Sequence, residues 1–97
     1  MPSSNARLVT ANASRYLQQV CKHWSHKFAV EFTPDRGRVP FATDRSCEFE
    51  AQPQALVMHL EAPDEESLTR MQGVVVDHVK RFAFREDFGE VAWSRES

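Results

Sequence analysis

The sequence predicts an α+β fold, a two-layer sandwich in which two α-helices cover one face of an antiparallel sheet of about four to six strands, in the order β-α-β-β-β-β-α-β. Three observations lead there. Two segments, residues 12–28 and 63–85, place their apolar side chains at steps of three and four. The stretch between them alternates apolar and polar residues and is cut by proline, glycine and aspartate turn signals. No linker, repeat or low-complexity segment divides the 97 residues, so the chain reads as one domain over residues 1–97, with residues 1–5 as a flexible N-terminus.

Residues 7–10 (RLVT) form the first strand candidate, and from Asn12, a candidate N-cap, the period becomes helical. Ala13, Tyr16, Leu17, Val20, Cys21, Trp24 and Phe28 make one apolar stripe. The period then switches to two through Phe28, Val30 and Phe32. A proline-led turn follows over residues 33–37, whose Gly37 is expected to supply a positive φ. The return strand spans residues 38–43, and Asp44, Arg45 and Ser46 turn the chain into a strand over residues 47–51. Pro53 breaks the ladder before residues 55–61, where Leu56, Met58 and Leu60 share a face. The second helix opens after Pro63 with Asp64, Glu65 and Glu66 at the positive end of its dipole. Its stripe runs through Leu68, Met71, Val75, His78, Val79 and Phe82, with Lys80, Arg81 and Arg85 at its end and a last strand near residues 90–94.

Composition excludes several classes. Two cysteines do not make a disulfide framework, the N-terminal residues show no apolar signal region, and no apolar run approaches the length of a membrane span, so a soluble, reduced, cytoplasmic protein is expected. The formal net charge of −2 hides an asymmetry: residues 1–30 carry Arg7, Arg15, Lys22 and Lys27 and no acid. Four charges without interleaved aromatics are a small footprint for nucleic acid, which argues against such a partner. With three glycines in the chain and no GxGxxG, P-loop or GxSxG sequence, a nucleotide cradle and a nucleophile elbow are also excluded.

The chemistry-bearing residues are histidines. In CKHWSHKF (residues 21–28), about 100° of rotation per residue puts Cys21 and Trp24 in the buried stripe, His23 near its edge and His26 away from it. Lys22, His23, His26 and Lys27 sit where a helix C-terminus favours cations. His23 and His26 are the candidate metal pair, which could bind zinc or iron with a third ligand from elsewhere in the chain, although two histidines at this spacing are a weak signal. His78, inside the second stripe, is expected to be interior and to bond a backbone carbonyl or a side chain such as Tyr16 or Cys21. Cys47 points inward as a small hydrophobe. Glu31, Glu48, Glu50, His59 and Glu61 gather on the other sheet face, which reads as a solvated surface.

The run SRYLQQVCKHWSHKF (residues 14–28), followed by VEF (30–32) and GRV (37–39), resembles the opening of the bacterial domain-of-unknown-function family 2218. LEAPD (60–64) leading to DHVKRFAFR (77–85) is similar to that family's closing signature. The resemblance implies a short cytosolic protein. Similar domains occur with siderophore-interacting flavin reductases, which implies a link to iron or siderophore metabolism. It also implies a shared role for His23, Trp24, His26, His78, Arg81 and Phe82.

The function expected is therefore a non-enzymatic accessory or ligand-binding domain, with His23, Trp24, His78 and Arg81 as ligand-binding candidates. A small anionic ligand such as a siderophore or flavin phosphate, or a flavin reductase, is the expected partner, since Arg offers a planar fork to oxyanions and Trp a stacking face. The rival is a metal-dependent protein or small enzyme using His23 and His78 as ligands or base. The sequence names no cofactor and leaves monomer and homodimer open.

Overall fold

The computed structural model describes residues 2–84, 86 and 91–96. The elements follow in the order β1 (Ser3–Val9), α1 (Ala13–Trp24), β2 (Glu31–Phe32), β3 (Arg36–Ala42), β4 (Arg45–Gln52), β5 (Ala55–Glu61), α2 (Glu65–Phe82) and β6 (Ser94–Glu96). The strands form one sheet in the spatial order β2-β3-β4-β5-β1-β6, every neighbouring pair antiparallel. Among the described residues, two helices and a six-stranded antiparallel sheet make this an α+β protein, in the element order the sequence predicts. Both helices lie on the face that carries Leu8, Val39, Phe49, Met58 and Leu60, and these side chains form the core with Leu17, Val20, Leu68 and Val75.

The element boundaries move for physical reasons. β1 begins at Ser3: of the residues 1–5 expected as a flexible N-terminus, Ser3, Ser4 and Asn5 pair with β5 on one side and β6 on the other. Ser4 is fully buried there and its hydroxyl accepts from Gln72 Nε2 of α2 at 3.0 Å. β2 keeps only Glu31 and Phe32, because α1 stops at Trp24 and a turn leads to Phe28. The last strand lies at Ser94–Glu96, and Arg85 and Glu90, named in the sequence reading, fall outside the described residues.

The two helices start differently. Asp64 caps α2, its Oδ1 accepting from the Ser67 N–H at 2.7 Å, and that bond holds its carboxyl below the usual carboxylate range. Asn12 stands at the N-cap position of α1 but its side chain does not cap the helix. Its Nδ2 instead donates to Glu86 Oε2 at 3.2 Å, and the same oxygen accepts from Thr10 Oγ1 at 3.0 Å and from the Tyr16 hydroxyl. One carboxylate thus ties the segment after α2 to the β1–α1 turn.

Gly37 corrects the turn reading. It lies within β3, opposite Phe49, and its φ is not positive. It is needed for closeness, since an added Cβ would stand 2.5 Å from Cys21 Sγ and 3.4 Å from Leu17 Cδ2. The absence of a side chain lets α1 settle on the sheet.

Candidate functional site

At the C-terminal end of α1 the helices and the β3–β4 hairpin leave a pocket of about 340 Å³. α1 and the turn after it contribute His23, Trp24, Lys27 and Phe28; α2 contributes Met71, Val74 and His78; the hairpin contributes Phe41, Ala42 and Arg45. No aspartate or glutamate lines it among the described residues. His23, Lys27, Arg45 and His78 carry, or can accept, a positive charge.

The aromatic walls are built on Trp24, which is buried because its position in the stripe points it at the sheet. Phe41 meets it edge-to-face at 5.0 Å between centroids, and Phe28 meets Phe41 in the same way at 5.2 Å. A register shift between Pro40 and Ala42 falls at Phe41, in the strand stretch that lines the pocket. The His78 ring lies 4.8 Å from Trp24 and 5.4 Å from His23, whose imidazole also packs on Phe82 at 5.9 Å.

His78 is half-buried, not interior. Its Nδ1 lies 2.7 Å from the Val74 carbonyl one turn back, a geometry in which Nδ1–H donates to the carbonyl oxygen. The backbone partner is one of those the sequence reading named. Tyr16 is committed to Glu86 instead, and Cys21 is enclosed, its thiol pushed up to about 12 by burial. Cys47 is likewise buried, and burial raises its thiol well above the ordinary value. Both therefore stay protonated and serve as packing groups.

Electrostatics distinguish His23 from an isolated imidazole. Partial desolvation of its ring, then the charges of His78, Arg81, His26 and Lys27, hold it below the usual histidine range. The structure thus brings His23, Trp24 and His78 to one pocket. Arg81 is exposed on α2 and acts on His23 without lining the pocket, and His26 is exposed beyond the end of α1. Among the described residues no group of three or more His, Cys, Asp or Glu side chains is placed to hold a metal ion.

Lys27, Phe41 and Arg45 escaped the sequence reading as site residues. Local pattern makes Arg45 a turn residue; only the hairpin register, with Ala42 opposite Arg45, brings it to the pocket. Its Nε is buried and, among the described residues, donates no hydrogen bond. Asp44 Oδ1 lies 3.4 Å away, near enough for an ion pair but out of hydrogen-bonding alignment.

A larger hollow of about 480 Å³ lies on the uncovered sheet face, around Glu31, Arg36, Arg38, Glu48, Glu50 and His59. Size favours it, and chemistry does not. The carboxylates expected to gather there are interleaved with arginines: Arg36 pairs with Glu50 at 3.3 Å and Arg38 with Glu48 at 3.8 Å. His59 Nδ1 lies 2.6 Å from Asn5 Oδ1. Both arginines of that hollow are thus paired with glutamates, whereas no acid lines the seam pocket between the helices and the hairpin among the described residues.

The chain is similar to known proteins over almost its whole length. The NMR structure of PA4090 from Pseudomonas aeruginosa matches with a TM-score of 0.81 at 46% identity, covering 97% of this chain and 96% of that one. No curated protein matches the chain. The family described as "Uncharacterized protein conserved in bacteria (DUF2218)" matches residues 5–94, which contain both helices and the entire pocket. The chain belongs to this bacterial family of uncharacterised proteins, domain-of-unknown-function family 2218.

Proposed function

We propose that this protein is a non-enzymatic accessory domain of the bacterial cytoplasm that binds a small anionic ligand in the seam pocket. The observation that carries the reading is a lining with His23, Lys27, Arg45 and His78, aromatic walls from Trp24 and Phe41, and no acid among the described residues. Cations in a partly dry pocket attract an oxyanion more strongly than they would in water, and the aromatic faces add contact area for an apolar or planar body. Arg81, whose charge acts on His23, adds to the positive field there. The family's resemblance to domains that accompany siderophore-interacting flavin reductases favours a role in iron or siderophore metabolism. An anionic siderophore or a flavin phosphate, delivered to or from such a reductase, is the ligand that context offers.

A second reading rests on the 5.4 Å approach of the His23 and His78 rings, which would let both bind one metal ion whose remaining positions a ligand fills. Thermal melts and NMR titrations of the untagged protein with ferric siderophores, flavin mononucleotide, inorganic phosphate and divalent metals separate the two. The binding reading expects anions to raise the melting temperature and to shift the Trp24 and His78 signals. Stoichiometric metal in the purified protein, with no response to any anion, would overturn it in favour of the metal reading.

A further inference from the structure

We propose that Arg45 is the anchoring residue of the seam pocket and that the ligand it selects is a small aromatic carboxylate of one or two rings. The inference rests on the reading that the pocket takes an anion, and it narrows the class. Arg45 opens β4 directly after the two-residue turn that joins it to β3, so a short hairpin, and not a long flexible loop, carries its side chain. The guanidinium presents a planar fork matched to a carboxylate, and its Nε is already withdrawn from water without a hydrogen-bond acceptor among the described residues. A buried donor left in that state gains more from an incoming acceptor than an exposed one does. Asp44 neutralises part of the charge from 3.4 Å, but it is exposed and does not line the pocket.

The remaining wall decides what the carboxylate must be attached to. Trp24 is 4% exposed and already packed edge-to-face with Phe41, so the half-buried rings of Phe41 and Phe28, both lining the pocket, supply the surface a flat ring can lie against. At about 340 Å³ the pocket is at the small end of the range of about 300–1,000 Å³ typical of small-molecule sites. That volume suits a one- or two-ring acid. Lys27 is exposed, His23 is held below the usual histidine range and His78 spends one ring nitrogen on the Val74 carbonyl, which leaves Arg45 as the partly enclosed, permanently charged cation. One fixed cation beside an aromatic wall favours a monoanion with a ring over a compact dianion.

The test is an NMR titration of the whole chain with 2-naphthoate, cyclohexanecarboxylate, benzamide and inorganic phosphate. We expect 2-naphthoate to shift the Trp24 indole N–H and the Arg45 Nε–H together, with a dissociation constant of about 0.1–1 mM. The other three probes should bind about fivefold more weakly or not at all, since each lacks the aromatic ring or the charge. Arg45→Met should weaken 2-naphthoate about tenfold, Arg45→Lys should restore only part of the loss, and Arg38→Met on the opposite face should change nothing. If Arg45→Met does not fold, the wild-type Arg45 Nε–H shift decides alone. Shifts at Trp24 with a silent Arg45, or phosphate binding as tightly as 2-naphthoate, overturn this inference while leaving the anion pocket standing. No response at the pocket to any of the anions overturns the pocket reading and this inference with it.

Discussion

Cys21 Sγ on α1 occupies the space that a side chain on Gly37 of β3 would need: an added Cβ would stand 2.5 Å from the sulfur. Helix and sheet are therefore in contact through a missing side chain. Gly37→Ala should destabilise the fold by about 1–3 kcal/mol in denaturant melts, because the close-packed core cannot yield by that much without strain. Cys21→Ala in the same chain removes the clashing atom and should recover part of the loss. Additive effects of the two substitutions would show that the contact is not what limits position 37.

Gly73 is the opposite case. It lies exposed within α2, and an added Cβ would meet nothing within 4 Å. Gly73→Ala should raise stability by about 0.5–1 kcal/mol, through helix propensity and a less flexible unfolded chain. A loss on this substitution would reveal a partner packed on that face of α2.

Trp24 is 4% exposed and packs on Phe41, Phe49 and His78. Trp24→Ala should cost about 3–5 kcal/mol, whereas His26→Ala, at an exposed position past the helix end, should change stability by less than about 1 kcal/mol. Urea melts of both variants check the pair, and a large loss at His26 would mean that its ring is packed.

Glu86 accepts hydrogen bonds from Thr10, Asn12 and Tyr16, and the bond from Tyr16 is the main reason its carboxyl lies below the usual range. Tyr16 is displaced upward, chiefly by burial and then by that same bond. A depressed carboxylate contributes stability that is present above its unfolded value of about 4.3 and lost as pH falls through the folded value. Tyr16→Phe and Glu86→Gln should each cost about 1 kcal/mol at pH 7, less than additively when combined, and each should flatten the acid limb of the stability curve. An unchanged acid limb in Glu86→Gln would exclude this carboxylate as its source.

His23 titrates in the other direction. Its folded value is lowered, so the unfolded chain takes up the proton first, and stability is lost as pH falls below the unfolded value of about 6.5 towards the folded one. Relative to His23→Gln, the wild type should therefore become less stable between about pH 7.5 and about pH 5.5. An anion in the pocket should oppose this trend by favouring the protonated ring, so NMR titration of His23 with and without 2-naphthoate should show the higher value in the bound form. A ring that titrates at the ordinary value, unmoved by ligand, would contradict both statements.

The sequence by itself determined the element order, the phase of both helices and the inward side of the central strands. Those features are written in local periodicity: Tyr16, Leu17, Val20, Cys21 and Trp24 recur with the helical turn, and Leu56, Met58 and Leu60 with the strand alternation, whatever lies opposite them. The strand Ala55–Glu61 matches its predicted bounds because turns enclose it on both sides. Tertiary structure decided what periodicity does not encode. Ser3–Asn5 became strand because β5 and β6 offered two edges to short polar residues with no pattern of their own. His78 lies in the apolar stripe, yet it stands half-exposed at the margin where α2 meets α1, since a stripe records direction from the helix axis and not how far the neighbouring layer extends. Arg45 shares no sequence motif with His23, Trp24 or His78. It joins their pocket only through the β3–β4 register, which the short turn and the inward-facing side chains of both strands set once the helices cover that face.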